Sequence, residues 1–180
     1  LRIMRIADRF KLPIVTLIDT PGAYPGVGAE ERGQAEAIAK NIMVMTELET
    51  PIVSVVIGEG GSGGALAIGV ADHLMMLEYS IYSVISPESC AAILWRSAEK
   101  AQDAAKSLKL IAPEVVKLGI ADQIIEEPKG GAHRDPKETF GRVRREIKKK
   151  VLELQGVHTR ELLEKRYNKY RNMGKFKLPT

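Results

Sequence analysis

Ser62 stands among Gly58, Gly60, Gly61, Gly63 and Gly64, directly after the apolar run Ile52–Ile57. Several chemistries compete for this spacing. Gly60-x-Ser62-x-Gly64 has the form of a nucleophile elbow, which would make Ser62 the attacking hydroxyl of a serine hydrolase. That role needs a histidine base steadied by a carboxylate. Of the three histidines, His73 belongs to a different element and His158 to a basic tail. His133, close to Asp135 in a Gly/Pro-rich loop, is left as the base. Gly58-x-Gly60-x-x-Gly63, with Glu78 about 20 residues on, has the dinucleotide-binding spacing, but the helix that follows is short for a pyrophosphate site. Gly64 is followed by Ala65 and not by lysine, which excludes a Walker-type phosphate loop. The remaining chemistry needs no side chain. Backbone N–H groups of Gly63 and Gly64, at a helix N-terminus, would form an oxyanion hole for an enolate or ureido oxygen.

Such a turn must be held by a strand before it and a helix after it. Ile52–Ile57 is β-branched and reads as a buried strand, and Ala65–Ile68 reads as a short helix. A second unit of the same form precedes it. Leu12–Ile18 reads as a buried strand running into Asp19-Thr20-Pro21-Gly22-Ala23-Tyr24-Pro25-Gly26-Val27-Gly28, a rigid loop with exposed backbone. The spacing predicts one helix from about Ala29 to Glu49, with Ala35, Ile38, Ala39, Ile42, Met45 and Leu48 as its apolar stripe. Two parallel strands ending in glycine turns on one edge are where open α/β sheets place ligands. Downstream, short strands are predicted at 72–78 and 81–85. Helices are predicted at 87–95, 98–110 and 112–118, the last with Gly119 as its C-cap, and a strand follows at about 120–125.

The composition is that of one α/β domain with an appendage, and no apolar run reaches membrane-spanning length. The charge is divided. Residues 1–128 carry 11 Lys and Arg against 17 Asp and Glu (net −6), and residues 129–180 carry 16 against 6 (net +10), for +4 in all. This sets a core over 1–128 apart from a basic extension over 129–180, predicted as two helices at 136–155 and 159–173. A solvated partner-binding face, a nucleic-acid surface, and a positive rim that attracts a polyanionic ligand all fit that charge. No nucleic-acid-binding motif accompanies it. Cys90 is the only cysteine, which excludes a disulfide framework or a cysteine metal cluster and favours a reducing cytoplasm. Its place in a helix predicts a buried small apolar role. The chain opens at Leu1 inside an apparent helix, so an N-terminal portion is expected before it.

Four blocks carry a resemblance: Asp19–Gln34 (DTPGAYPGVGAEERGQ), Gly58–Gly69 (GEGGSGGALAIG), Tyr82–Trp95 (YSVISPESCAAILW) and Glu126–Pro136 (EEPKGGAHRDP). Together they resemble the alpha-subunit family of the bacterial-type acetyl-CoA carboxylase carboxyltransferase. Leu118–Ile125 (LGIADQII) is similar to a signature of the wider crotonase superfamily.

The resemblance implies an α/β, crotonase-like ββα-spiral fold with a C-terminal helical extension. It implies transfer of a carboxyl group from carboxybiotin on a biotin carboxyl carrier protein to acetyl-CoA, giving malonyl-CoA for fatty acid biosynthesis. The implied partners are a zinc-ribbon-bearing beta subunit in an α2β2 assembly, the carrier protein and biotin carboxylase, with no metal on this chain. It carries over Gly63 and Gly64 as the ureido oxyanion hole, with Gly60, Gly61, Gly22 and Ala23 shaping the cleft. Family members are longer and begin with a region that supplies early strands. Glu88, in Ser86-Pro87-Glu88, matches the position of a catalytic glutamate in crotonase-type hydratases. A first-turn acid favoured by the helix dipole is the simpler account of it.

Overall fold

The computed structural model describes residues 1–174. Its centre is a 5-stranded sheet. Strands β1 (Ile14–Thr20), β2 (Ile52–Gly61), β3 (His73–Leu77) and β5 (Gln123–Ile125) lie side by side in the order β1-β2-β3-β5. Strand β4 (Ile81–Ser83) pairs with the far end of β2. Every pairing between these strands is parallel.

Strand β2 is buried on both faces from Ile52 to Val56, as its unbroken β-branched run predicts. Strand β1 departs from expectation. Ile14, Thr16 and Ile18 point inward, but Val15 and Leu17 are exposed, because β1 lies at the sheet edge and only one of its faces is covered.

On one face, α3 (Gln34–Glu47), α4 (Ser62–Gly69) and α7 (Ala112–Lys117) bury Met45, Ile52, Ile18, Val56, Ala65 and Val115. On the other, Val143, Ile147, Val151 and Leu154 of α8 (Pro136–Gln155) cover Val53, Val55, Met75, Leu77 and Ile125. Buried hydroxyls tie α4 down. Thr16 donates to the Ile68 carbonyl at 2.7 Å, and the Ser54 hydroxyl lies 2.7 Å from Thr16 Oγ1.

The single helix expected over 29–49 is two. Helix α2 spans Val27–Glu31 and α3 begins at Gln34, with Gly33 between them in the left-handed region at φ 78. Only Met45 and Leu48 of the expected stripe are buried, whereas Ala35 and Ala39 are exposed. Gly119, at φ 72, lies one residue beyond the α7 cap residue Leu118. Cys90, in α5 (Pro87–Trp95), is half-buried and not enclosed as expected. A 3₁₀ turn (Ala98–Lys100) precedes α6 (Ala101–Leu108), where one helix was predicted.

The basic segment is fastened to the sheet through α9 (Thr159–Arg171). Arg166 is 1 % exposed and pairs with Asp72, itself 4 % exposed. Its Nε and one terminal nitrogen donate to the two Asp72 oxygens at 2.8 Å. The remaining N–H groups reach the carbonyls of Met45 (2.9 Å), Leu48 (2.6 Å) and Thr50 (3.1 Å). All five guanidinium donors are therefore used. Asp72 also accepts the Ile52 N–H at 2.7 Å. Nearby, the Tyr170 hydroxyl accepts the Ala71 N–H at 2.7 Å, and burial pushes its pKa up to about 12. No helix among the described residues is long and apolar enough to cross a membrane.

His73 adds a pH dependence. Burial holds its pKa below the ordinary value, outweighing the hydrogen bond to Gln123 (3.2 Å) and the Asp122 carboxylate that favour the charged ring. The unfolded chain takes up this proton below about pH 6.5, while the folded chain resists it to lower pH. The stability contributed is complete above that pH and declines as pH falls through the folded value. His73→Gln is expected to flatten the loss of stability as pH falls below about 6.5, measured as urea midpoints at and below that pH. An unchanged slope would show that His73 does not set it.

Candidate functional site

Strands β1 and β2 run in register from Ile14 opposite Ile52 to Ile18 opposite Val56, so their carboxyl ends meet on one edge. After β1 the chain turns at Pro21–Gly22. The Gly22 N–H donates to Thr20 Oγ1, and the Thr20 hydroxyl lies equally close to the Gly22 carbonyl, both at 3.2 Å. Gly22 sits at φ 135, a conformation that side-chain-bearing residues rarely adopt.

The glycine-rich turn begins later than expected. Gly58, Gly60 and Gly61 belong to β2, and α4 starts at once with Ser62, whose φ is 47. A strand thus enters a helix through a strained non-glycine residue. Two close approaches of backbone to backbone make this corner. A Cβ on Gly61 would stand 2.2 Å from the Pro21 carbonyl oxygen, and one on Gly64 would stand 2.8 Å from the Gly22 carbonyl carbon and 3.1 Å from the Ala23 nitrogen. The two turns are packed main chain on main chain.

The structure therefore brings Gly22, Ala23, Gly61 and Gly64 together. Gly60 faces the Tyr82 ring, and the open side of Gly63 faces Ile38. No side chain caps α4. Its first-turn amides have no acceptor within the helix, and they lie at the positive end of its dipole.

A cleft of about 290 Å³ opens at this corner. One wall is Pro21, Glu59, Gly60, Gly61 and Ser62, and the other includes Ile81, Ser83, Ser86, Pro87 and Glu88. Gly22, Ala23, Gly63 and Gly64 are part-buried beside this corner and do not line the cleft. Glu88 is a first-turn acid of α5, where Ser86 caps the helix by accepting the Ser89 N–H at 3.2 Å. Ser62 also borders a mostly apolar pocket of about 270 Å³ with Leu66, Tyr82, Val84, Leu108 and Ile120. Burial pushes the Tyr82 phenol up, further from ionisation.

Neither cavity is lined by a histidine, lysine or arginine. His133, expected as the base for Ser62, lies in an exposed 3₁₀ turn, Ala132–Arg134. The hydrolase reading is left without a base. The dinucleotide reading fails because Gly58 and Gly60 are strand residues and do not form the turn. The cations of α8 do not rim the cleft, whose ionisable lining is Glu59 and Glu88. Apart from Glu88, weighed as a hydratase-type glutamate or a first-turn acid, sequence reasoning gave no role to the far wall or to Tyr82, although the block Tyr82–Trp95 carried a resemblance that pointed there.

The model of the family described as acetyl co-enzyme A carboxylase carboxyltransferase-like matches residues 1–174. The chain belongs to this family. This chain is 56% identical over 179 residues to the acetyl-coenzyme A carboxylase carboxyl transferase subunit alpha of Paraburkholderia phymatum, covering 99% of this chain and 55% of that protein. It is 58% identical over 173 residues to the subunit of the same name from Pseudomonas aeruginosa PAO1, covering 96% and 55%. The chain thus spans about half the length of the curated relatives it matches.

Among solved structures, a Pseudomonas malonate decarboxylase hetero-tetramer in complex with coenzyme A superposes with a TM-score of 0.75 at 19% identity, covering 94% of this chain and 69% of that one. The transcarboxylase 12S structure gives a TM-score of 0.64 at 23% identity, covering 77% and 28%. The fold is the crotonase-like α/β fold, with its parallel sheet.

Proposed function

We propose that this chain is the part of a carboxyltransferase alpha subunit that presents the biotin side of the reaction. The reaction moves a carboxyl group from carboxybiotin on a carrier protein to acetyl-CoA, giving malonyl-CoA. The observation that carries this reading is the uncapped first turn of α4, held against the Pro21–Ala23 backbone in a chain of the carboxyltransferase family.

The amides of the part-buried Gly63 and Gly64, at the start of α4 beside the cleft, donate to the ureido oxygen while it bears charge; Gly60 and Gly61 line the cleft, and Gly22 and Ala23 hold Gly64 in place. Donors fixed by packed backbone need no reorganisation as charge develops, which is where such sites gain most. Carboxybiotin supplies the carboxyl group and, once it is released, a ureido nitrogen able to take the methyl proton of acetyl-CoA. No side-chain base is then required, in keeping with cavities that lack a histidine. Glu59 and Glu88 repel polyphosphate from the cleft, which favours a zinc-ribbon-bearing beta subunit as the holder of coenzyme A. An α2β2 assembly in the cytoplasm, served by a biotin carboxyl carrier protein and biotin carboxylase, completes the reading.

The test is reconstitution with a beta subunit and carboxylated carrier, following label from carboxybiotin into malonyl-CoA. Absence of transfer by an assembled complex would overturn the reading. Ser62→Ala is expected to keep turnover within about threefold of the parent, since it removes only a hydroxyl; loss of one oxyanion donor would cost about 10²–10³-fold. A fluorophosphonate probe is expected to leave Ser62 unlabelled.

A further inference from the structure

The β1–β2 ladder breaks just before the site. Ile18 pairs with Val56 and Thr20 with Gly60, so the single residue Asp19 stands opposite Ile57, Gly58 and Glu59. At this bulge β2 also changes neighbour, pairing with β3 through Val56 and with β4 from Glu59 onward. None of the three has a ladder partner in β1, and only Glu59 has one elsewhere, Ile81 of β4. One side chain spans them: Asp19 Oδ1 accepts the Glu59 N–H at 3.0 Å. It occupies the space that Gly58 leaves free, where a Cβ would stand 2.5 Å from Oδ1.

Resting on the carboxyl-transfer reading, we propose that Asp19 is a positioning residue. Its carboxylate clamps the bulge and so sets where Gly60, Gly61 and Ser62 meet the Pro21–Gly22 turn. Bulges aim the residues that follow them. Here those residues are the wall of the cleft and the start of α4, and Glu59 itself lines the cleft. Gly58 is glycine because the clamp stands where its side chain would be. The carboxylate is needed as an acceptor and not for its charge.

Three single variants of this chain and one double variant, each in the reconstituted complex, test the proposal. Asp19→Ala is expected to lower kcat about 10²-fold, the effect of a roughly 1 Å misplacement, with KM little changed. Asp19→Asn keeps an acceptor oxygen and is expected to restore most of the rate. Gly58→Ala, which displaces the carboxylate, is expected to behave as Asp19→Ala does, and the double variant to be no worse than either single one. Hydrogen exchange at the Glu59 amide gives a readout independent of catalysis: fast in Asp19→Ala, slow in the parent and in Asp19→Asn. Parental kcat in Asp19→Ala, an Asp19→Asn variant as slow as Asp19→Ala, or unchanged Glu59 exchange would each overturn the clamp. If the parent complex transfers no carboxyl group, the functional reading fails, while the exchange comparison still decides whether Asp19 holds the bulge.

Discussion

Arg166→Ala is expected to remove about 3–5 kcal/mol of stability, because it leaves the buried Asp72 carboxylate without its counter-charge. That is a large fraction of the roughly 5–15 kcal/mol that holds a typical domain together. The cause is the completeness of the arrangement. Five donors serve one carboxylate and the carbonyls of Met45, Leu48 and Thr50. Replacing both ions by apolar residues often rescues a buried pair. Here Arg166→Met with Asp72→Leu is expected to rescue only partly, since three carbonyls still lose their donors. Arg166→Lys should also fail, because an ammonium lacks the planar fork. Urea unfolding checks this against Arg142→Ala, whose partner Glu138 is on the surface and whose loss is expected to cost about 0–1 kcal/mol. An Arg166→Ala variant as stable as Arg142→Ala would refute it.

The second large effect is at the site. Gly64→Ala is expected to cut carboxyl transfer by about 10²–10³-fold, equivalent to losing one oxyanion donor. The added Cβ would stand 2.8 Å from the Gly22 carbonyl carbon, and main chain cannot swing aside as a side-chain tip can. The two turns must separate and the first-turn amides must shift. Gly63→Ala is the matched control. Its Cβ would stand 3.7 Å from Ile38 Cδ1, an ordinary contact, and alanine favours the helix by about 1 kcal/mol. It is expected to keep transfer and to unfold at slightly higher urea. Equal loss of transfer in both variants would sink the role given to the Gly64–Gly22 contact.

The two strand-and-turn units were legible because their signals are local. Ile52–Ile57 is β-branched without interruption, and the prolines and glycines after Leu12–Ile18 leave little choice of backbone. Membership of the family was legible in blocks such as Asp19–Gln34, where many residues agree at once. What stayed hidden depends on pairs of distant segments. Gly33 lies inside the single helix predicted over 29–49, ahead of a stripe that begins at Ala35, and its φ of 78 appears only where α2 gives way to α3. Arg166 is one cation in a basic stretch, and nothing near it in sequence marks it as the buried one. The bulge opposite Asp19 cannot be counted from either strand alone, since register belongs to the pair. The exposed face of β1 was misread for the same reason: an apolar run does not say which strand will stand at the edge.

The bonds of Arg166 also bear on how the polypeptide is made. Its acceptors at Met45, Leu48 and Thr50 emerge from the ribosome 121, 118 and 116 residues before it. Until α9 is synthesised, those carbonyls and the Asp72 carboxylate lack the guanidinium in a nascent chain whose strands β1 to β5 have already been made. Final closure is therefore a late event that joins remote segments, the kind that proceeds slowly and exposes unfinished surface to chaperones. A ribosome-tethered chain carrying a C-terminal linker too short to bring Arg166 out of the exit tunnel should be far more protease-sensitive than one whose linker frees it.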